Sequence, residues 1–345
     1  MVFESLQRFG SKADRVLFFP EEWDTEIGDG GDRNSQLLVK ARDWYGVDLV
    51  PVNEVEYAAL VGDGKRAEKV SDTNTAGKQS HKRSLEDDSN AHDEKDDGKK
   101  NVKKNNSGWE NSFMKFLAWG QTQYDRVIHL DSDITLTSHM DELFLLPSAP
   151  VAMMRAYWLL SAEHALTTLF ILLEPSEAEF QRLMRAAKST SKKKGNRDWD
   201  MEILNRLYGD EAIVLPHKGY GVLTGEFRTH DHSNYLGTST PSDGGWNANT
   251  ILSSTKLIHF SDWPLPKPWI MWPHTLLPEI QPRCRYLDSG IVDQCDDKKV
   301  WMGVYDEFRK RRKDVCKLLS EVSPEWPPGN GTLELEWWEE RRGKR

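Results

Sequence analysis

The run VIHLDSDITLT, residues 127–137, carries apolar, strand-like chain into two carboxylates one residue apart, Asp131 and Asp133. On extended chain, residues i and i+2 point the same way, so both acids share one side. Two carboxylates brought together repel unless one is protonated or a cation lies between them. A hard divalent ion with oxygen ligands is the natural bridge, and its open positions can clamp a diphosphate. Two aspartates capping a turn would leave the same pattern, so the motif alone does not choose.

A further ligand has to come from elsewhere, and KLIHFSDWPLPKPW (256–269) supplies one. His259 ends a strand, and the Pro-rich loop after it carries Lys267. A neutral imidazole beside two carboxylates suits a borderline ion, Mn²⁺ more than Mg²⁺. Lys267 would then neutralise the outer phosphate of a departing diphosphate. A lone strand histidine is more often packed than ligating; the surrounding HF…KPW shifts that balance. A competitor fits the first motif as well. Asp131-Ser132-Asp133-Ile134-Thr135 resembles the Asp-x-Asp-x-Thr of haloacid-dehalogenase-type phosphatases, with Asp131 as nucleophile and Asp133 as general acid. That family places the motif on its first strand and requires a second acidic pair. Here strand–helix units precede it, and Asp296-Asp297 follows no apolar strand. The phosphatase is the lesser alternative.

The elements that must position these groups alternate along the chain. VFESLQRF is helical, RVLFFP (15–20) strand-like, SQLLVKARDWYG (35–46) helical, and VDLVPV (47–52) strand-like. ENSFMKFLAWGQ is helical before the strand DRVIHLD, and VAMMRAYW and TLFILLE are further apolar runs. SEAEFQRLMRAAK (176–188) opens on a capping box, Ser176 with Glu179, and DMEILNRLYG is a short helix. AIVLP and KLIHF are strands, and VWMGVYDEFRKRRKDVCKLL closes with a long amphipathic helix. Strands alternating with helices predict an α/β fold with a mostly parallel central sheet. Ligands of such sheets sit beyond the carboxyl ends of the strands, where Asp131 and Asp133 lie. Residues 63–108 are dense in both charges and poor in apolar side chains, which predicts a disordered insertion.

Composition narrows the function classes. The 345 residues carry a formal net charge of -9, which argues against a nucleic-acid partner. The runs KKK (192–194) and RKRRK (309–313) are solvated faces or loops. Fourteen Trp cluster late in Pro-rich loops, where they wall a planar or sugar ligand or simply pack loops down. Cys284 and Cys295 flank a short polar segment and would pair in an oxidising compartment, leaving Cys316 over. Asn105-Asn106-Ser107 and Asn330-Gly331-Thr332 are glycosylation sequons. No stretch reaches the roughly 18–20 continuous apolar residues of a membrane span, and no signal peptide opens the chain. Read as written, the chain is soluble and cytoplasmic.

Together, YDRVIHLDSD (124–133), DMEILN (200–205) and HFSDWPLPKPW (259–269) resemble family 8 glycosyltransferases, the glycogenin-like retaining enzymes of GT-A fold. RFGSKADRVL, RAYW, LPHKGYGVLTGEFR and the late cysteine pattern resemble its fungal Golgi α-N-acetylglucosaminyltransferase (glucose N-acetyltransferase) group. The resemblance implies a UDP-sugar donor, a mannose-containing glycan acceptor, and Mn²⁺ (or Mg²⁺) held by Asp131, Asp133 and His259. It places Lys267 on the diphosphate, Lys115 near the nucleotide sugar, and Ser132 with the nucleotide-binding set. Asp200 would hold hydroxyls of the transferred sugar. Met201 stands where the family has Gln and offers no amide nucleophile, so same-face attack within an ion pair is expected.

The resemblance also implies domain limits: a GT-A domain over 1–280, with its insertion, and a helical and loop extension over 281–345. The family's Asn-x-Gly turn is replaced by LTTLFILL. Family members open on a strand that supports uridine, whereas this chain opens in what resembles the next helix. The first strand and any upstream membrane anchor are therefore expected to be missing, and the Golgi is the compartment implied. A chain so shortened would be an inactive sugar- or partner-binding protein, the alternative from another class. Arg155 and Trp158 either line the sugar site or fill a strand-end core. Gly225–Arg228 is a candidate acceptor wall, and His230 and His232 are expected as plain loop residues.

Overall fold

The computed structural model describes residues 1–26, 32–53, 57, 60, 108–159, 165–190, 198–237, 245–262, 267–271, 277–286 and 292–322. The insertion up to residue 107 and both sequons lie outside them. Helix α1 (Val2–Arg8) leads into strand β1 (Arg15–Pro20), helix α2 (Arg33–Tyr45) and strand β2 (Val47–Val52), which pairs parallel with β1. Asp32 caps α2 by accepting from the backbone N–H groups of Asn34 and Ser35. Gly46 ends it in the left-handed region, where glycine carries no Cβ penalty.

Beyond the insertion, a 3₁₀ segment (Gly108–Gly120) stands where an α-helix was expected. Strands β3 (Val127–Leu130), β4 (Ile134–Leu136), β5 (Val151–Arg155) and β6 (Leu166–Leu173) follow, then helices α3 (Glu177–Thr190) and α4 (Asp200–Tyr208). Strand β7 (Ile213–Leu215) completes a four-stranded sheet in the order β3-β6-β5-β7. The α/β class is as expected, but the sheet is mixed rather than mostly parallel. β6 runs antiparallel to both β3 and β5, and only β5 and β7 are parallel within it. The connection from β5 back to β6 is too short for the crossover that a parallel pair requires. An apolar run such as LTTLFILL, buried along its whole length, carries no mark of direction.

A second sheet stacks strand β8 (Gly221–Leu223) and strand β9 (Leu257–His259) beside β4, in the order β4-β9-β8. Between β8 and β9 lie a 3₁₀ turn (Thr224–Arg228) and helices α5 (Ser233–Leu236) and α6 (Ala248–Ser254). Strand β10 (Ile270–Met271), helix α7 (Leu277–Ile280), and the short strands β11 (Arg285–Tyr286) and β12 (Val292–Gln294) come next. Helix α8 (Asp296–Cys316) closes the fold, and strand β13 (Glu321–Val322) returns beside β10. Cys284 and Cys295 form a disulfide at the start of α8, and Cys316 is a free thiol.

Among the described residues, three clusters fill the interior. The 3₁₀ segment, α3 and α4 cover one face of the four-stranded sheet with Phe113, Phe116, Trp119, Leu183 and Tyr208. Ile134, Leu143, Phe170 and Leu257 fill the space between the two sheets. The third cluster packs α8, through Trp301, Tyr305 and Phe308, against Phe227 and Phe260. Each large apolar side chain so buried stabilises the fold by roughly 1.5–3 kcal/mol. Helix α8 is thus part of the core that backs β9. Its Arg311 donates to Ser5 of α1 at 2.6 Å, tying the two ends of the described chain together.

Candidate functional site

The apolar run 127–130 stops because the chain changes sheets. β3 ends in the four-stranded sheet, and β4 begins in the three-stranded one, with Asp131-Ser132-Asp133 as the crossing. Asp131 N–H still bonds Leu169 C=O of β6 at 3.1 Å, while Asp133 C=O accepts from Phe260 N–H at 3.0 Å. The two acids are therefore pinned by different sheets. They do not cap a turn.

Two linked clusters of charge meet there. In the deeper one, Lys115 Nζ lies 2.6 Å from Asp200 Oδ2 and 3.1 Å from Asp131 Oδ1. It also donates to Thr168, at 3.1 Å to Oγ1 and 3.3 Å to the carbonyl. The Thr168 hydroxyl in turn donates to Asp200 Oδ2 at 2.6 Å. Asp200 opens α4, where the helix dipole favours a negative charge. In the shallower cluster, Asp133 Oδ2 is shared by Lys267 Nζ at 2.7 Å and His259 Nε2 at 3.2 Å. Side chains are 8% exposed at Lys115 and Asp200, but 21–22% at Asp133 and His259 and 38% at Lys267. Asp131 is 26% exposed, so the buried floor of the site is the Lys115–Asp200 pair, and its open mouth is at Lys267.

Electrostatics follow that gradient. Burial pushes the Asp131 carboxyl up, with Lys115 opposing and Asp133 adding to the rise. At Asp133 burial also acts upward, but His259 and Lys267 outweigh it and hold the carboxyl well below its ordinary value. Burial would strip the proton from Lys115; Asp131 and Asp200 prevail and raise it. Asp200 is likewise lowered, because Lys115 and Thr168 overcome its burial. Neighbouring like charges pushed apart in this way are typical of functional sites.

A stability prediction follows from Asp200. Its folded value lies below the unfolded one, so the unfolded chain takes up a proton first as pH falls. The stability it contributes is present above about pH 4 and is lost as pH falls through the lower folded value. Urea unfolding of the wild type and Asp200→Asn should show the wild type ahead at pH 6 and the gap narrowing by pH 3. An equal gap at both pH values would remove the ion pair as its source.

The structure brings the sequence-derived residues together. Asp131, Asp133, His259, Lys267, Lys115 and Asp200 form the two linked clusters, and Ser132 is exposed between the acids. Among the described residues, no three His, Cys, Asp or Glu side chains stand as a ready-made metal cluster. The donor chemistry nonetheless fits a cation: two carboxylates at one crossing, with an imidazole Nε2 facing the second. His259 Nδ1 is buried with no hydrogen-bond partner among the described residues, so the usual support behind a ligating histidine is lacking. Each acid is neutralised by a lysine, and a cation would take that place.

Other residues behave differently from expectation. His232, expected as a plain loop residue, is buried, with Nδ1 2.9 Å from Glu226 Oε1 and its ring stacked on Trp246 at 3.9 Å. His230 is exposed. Arg155 is half-buried at the end of β5, and Trp158 is half-buried in an edge contact with Tyr157. Tyr157, which the sequence did not single out, accepts at 3.1 Å from the N–H of Leu223, the register partner of His259. Thr168 and Asp262 were also missed. Neither has a spacing signal, because each acts on a residue distant in sequence.

No protein-family model matches the chain. It is 40% identical over 333 residues to Glucose N-acetyltransferase 1 of Aspergillus fumigatus, a match covering 94% of this chain and 75% of that protein. It is 38% identical over 330 residues to Glucose N-acetyltransferase 1 of Gibberella zeae, covering 94% and 61%. The chain therefore spans three quarters of the first relative and about three fifths of the second. Among solved structures it is similar to the WbbM bifunctional glycosyltransferase, with TM-score 0.46, 14% identity, and 78% and 44% of the two chains covered. The glycosyltransferase GlyE of Streptococcus pneumoniae gives 0.41, 16%, 91% and 59%. Neither structural likeness is close enough to bear on the chemistry. An α/β chain with these curated relatives is a glycosyltransferase. More narrowly, the chain belongs to the Glucose N-acetyltransferase 1 family.

Proposed function

We propose that the protein moves a sugar, N-acetylglucosamine, from its UDP derivative to a mannose-containing glycan, with retention at the anomeric carbon. The observation that carries this reading is the convergence of His259 and Lys267 on one oxygen of Asp133 at 3.2 and 2.7 Å. Asp131, Asp133 and His259 would hold Mn²⁺, or Mg²⁺ in its stead. When bound, the ion supplies charge that neutralises a departing diphosphate. Lys267, at the open mouth, moves from Asp133 to the outer phosphate. Lys115 keeps Asp200 ionised and aimed, so that its carboxylate accepts hydrogen bonds from hydroxyls of the transferred sugar. Ser132, exposed at the crossing, joins the nucleotide-binding set.

Met201 is half-buried beside Asp200 and has no nucleophilic atom suited to form a glycosyl-enzyme. Retention then follows from attack on the face the nucleotide leaves. The C1–O bond to UDP breaks, the acceptor oxygen bonds C1 on the same side, and its proton passes to the departing phosphate. Inversion in the product, or a sugar trapped covalently on the protein, would contradict this.

The disulfide supports an oxidising compartment, and the Golgi lumen is the one proposed. Among the described residues no helix is long and apolar enough to cross a membrane. Incubation with UDP-N-acetylglucosamine, a mannoside acceptor and Mn²⁺ is expected to release UDP and glycosylated product. EDTA should stop the reaction and added Mn²⁺ restore it. Glycan binding without turnover of any UDP-sugar would instead favour a sugar-binding protein.

A further inference from the structure

Asp262 lies in the segment between His259 and Lys267, yet its side chain is 1% exposed and turns away from the mouth of the site. Its Oδ2 accepts from the Trp301 indole N–H at 2.9 Å and from the Tyr305 hydroxyl at 2.7 Å, both on α8. Its Oδ1 faces Arg228 Nη1 at 3.4 Å, from the 3₁₀ turn after β8. We propose that Asp262 is a positioning residue, which locks the loop that leaves β9 at His259 onto helix α8 and so sets the placement of His259 and Lys267 in the cation and diphosphate site. The proposal rests on the reading of that loop given above.

A carboxylate is costly to bury, and that cost is offset here by the donors it meets, the Trp301 indole N–H, the Tyr305 hydroxyl and Arg228. What the carboxylate adds is direction. Its two oxygens reach two different elements at once, and only one placement of the loop satisfies both. Burial, and then Asp262 itself, push the Tyr305 hydroxyl well above its ordinary value, so it remains a donor.

The lock is transmitted through adjoining residues. Ser261 N–H donates to Thr224 Oγ1 at 3.0 Å, and Gly225 N–H donates to Ser261 Oγ at 3.3 Å. A Cβ on Gly225 would stand 3.3 Å from Ser261 Oγ, a tight contact, and 3.7 Å from Asp262 Oδ1, an ordinary one, so the two segments approach closely here. Phe260 lies between the rings of Tyr305 and Phe308, at centroid distances of 5.0 and 5.1 Å. Its N–H holds Asp133 C=O, and its own C=O accepts from Lys267 Nζ. Thus α8 reaches both Asp133 and Lys267 through one residue.

The test compares Asp262→Asn and Tyr305→Phe with the wild type by amide hydrogen exchange and by steady-state kinetics. Tyr305→Phe keeps the ring packing and removes one donor, so it serves if the first variant folds poorly. Exchange across 257–271 is expected to quicken about tenfold, the size of one hydrogen bond to a charge, while β5 and β6 keep their protection. The Mn²⁺ concentration for half-maximal rate and the donor KM should rise about tenfold. Unaltered exchange in 257–271 in both variants would overturn the proposal. So would a uniform loss of protection, which would mark Asp262 as a general packing residue. If the wild type turns over no UDP-sugar, the functional reading fails, while the exchange data still decide the role of Asp262.

Discussion

Asp133→Asn is expected to lower sugar transfer on the order of a thousandfold while the protein stays folded. The substitution keeps size and backbone, so the bond from Phe260 N–H to residue 133 C=O survives and the two sheets stay joined. It removes the single charge on which His259 and Lys267 converge. Because that cluster is partly open to solvent, the change in stability should stay within about 1 kcal/mol. Initial rates and urea midpoints measured on one preparation separate the two effects. A variant with more than a tenth of wild-type rate would exclude Asp133 from the chemistry.

Lys115→Met carries the second large effect, and it falls on stability and activity alike. Lys115 is the buried cation between the buried Asp200 and the partly exposed Asp131, and removing it leaves both carboxylates without their counter-charge. Breaking a buried pair from one side typically costs about 3–5 kcal/mol. Adding Asp200→Asn removes one of the stranded charges, so the double variant should recover a large part of that loss. It should recover none of the transfer activity. Urea unfolding of the two single variants and the double one gives the coupling directly. Additive losses would show that Lys115 and Asp200 do not act as a pair.

The features legible in the sequence were those written in local spacing. Asp131 and Asp133 stood out because apolar alternation ran into them and stopped, and His259 because its strand led into a Pro-rich loop with a lysine. The helices over 35–46 and 176–188 were marked by caps and by a 3.6-residue period. The sheet direction was not marked. β6 is buried on both faces, so its run of apolar residues reads the same whichever way its neighbours point. His232 looked like a loop residue because Glu226, which holds it, is itself buried in a turn and lies off any helical or strand period. Lys115 could be placed only by resemblance, since its two partners come from a sheet crossing and a later helix start. Asp262 was visible as a letter between two noted residues, but its partners on α8 lie far along the chain.

The cysteines end up arranged by α8 as if by a ruler. Cys295 caps the start of this helix and Cys316 is its last residue, and 21 helical residues hold the two sulfurs about 30 Å apart. Once the helix has formed, the thiol at 316 is out of reach of its rival, so oxidation has one outcome for 284 and 295. A scrambled isomer would have to be set before α8 winds. Each correctly folded molecule should then carry a single titratable sulfhydryl, a ready position for one probe dye per chain.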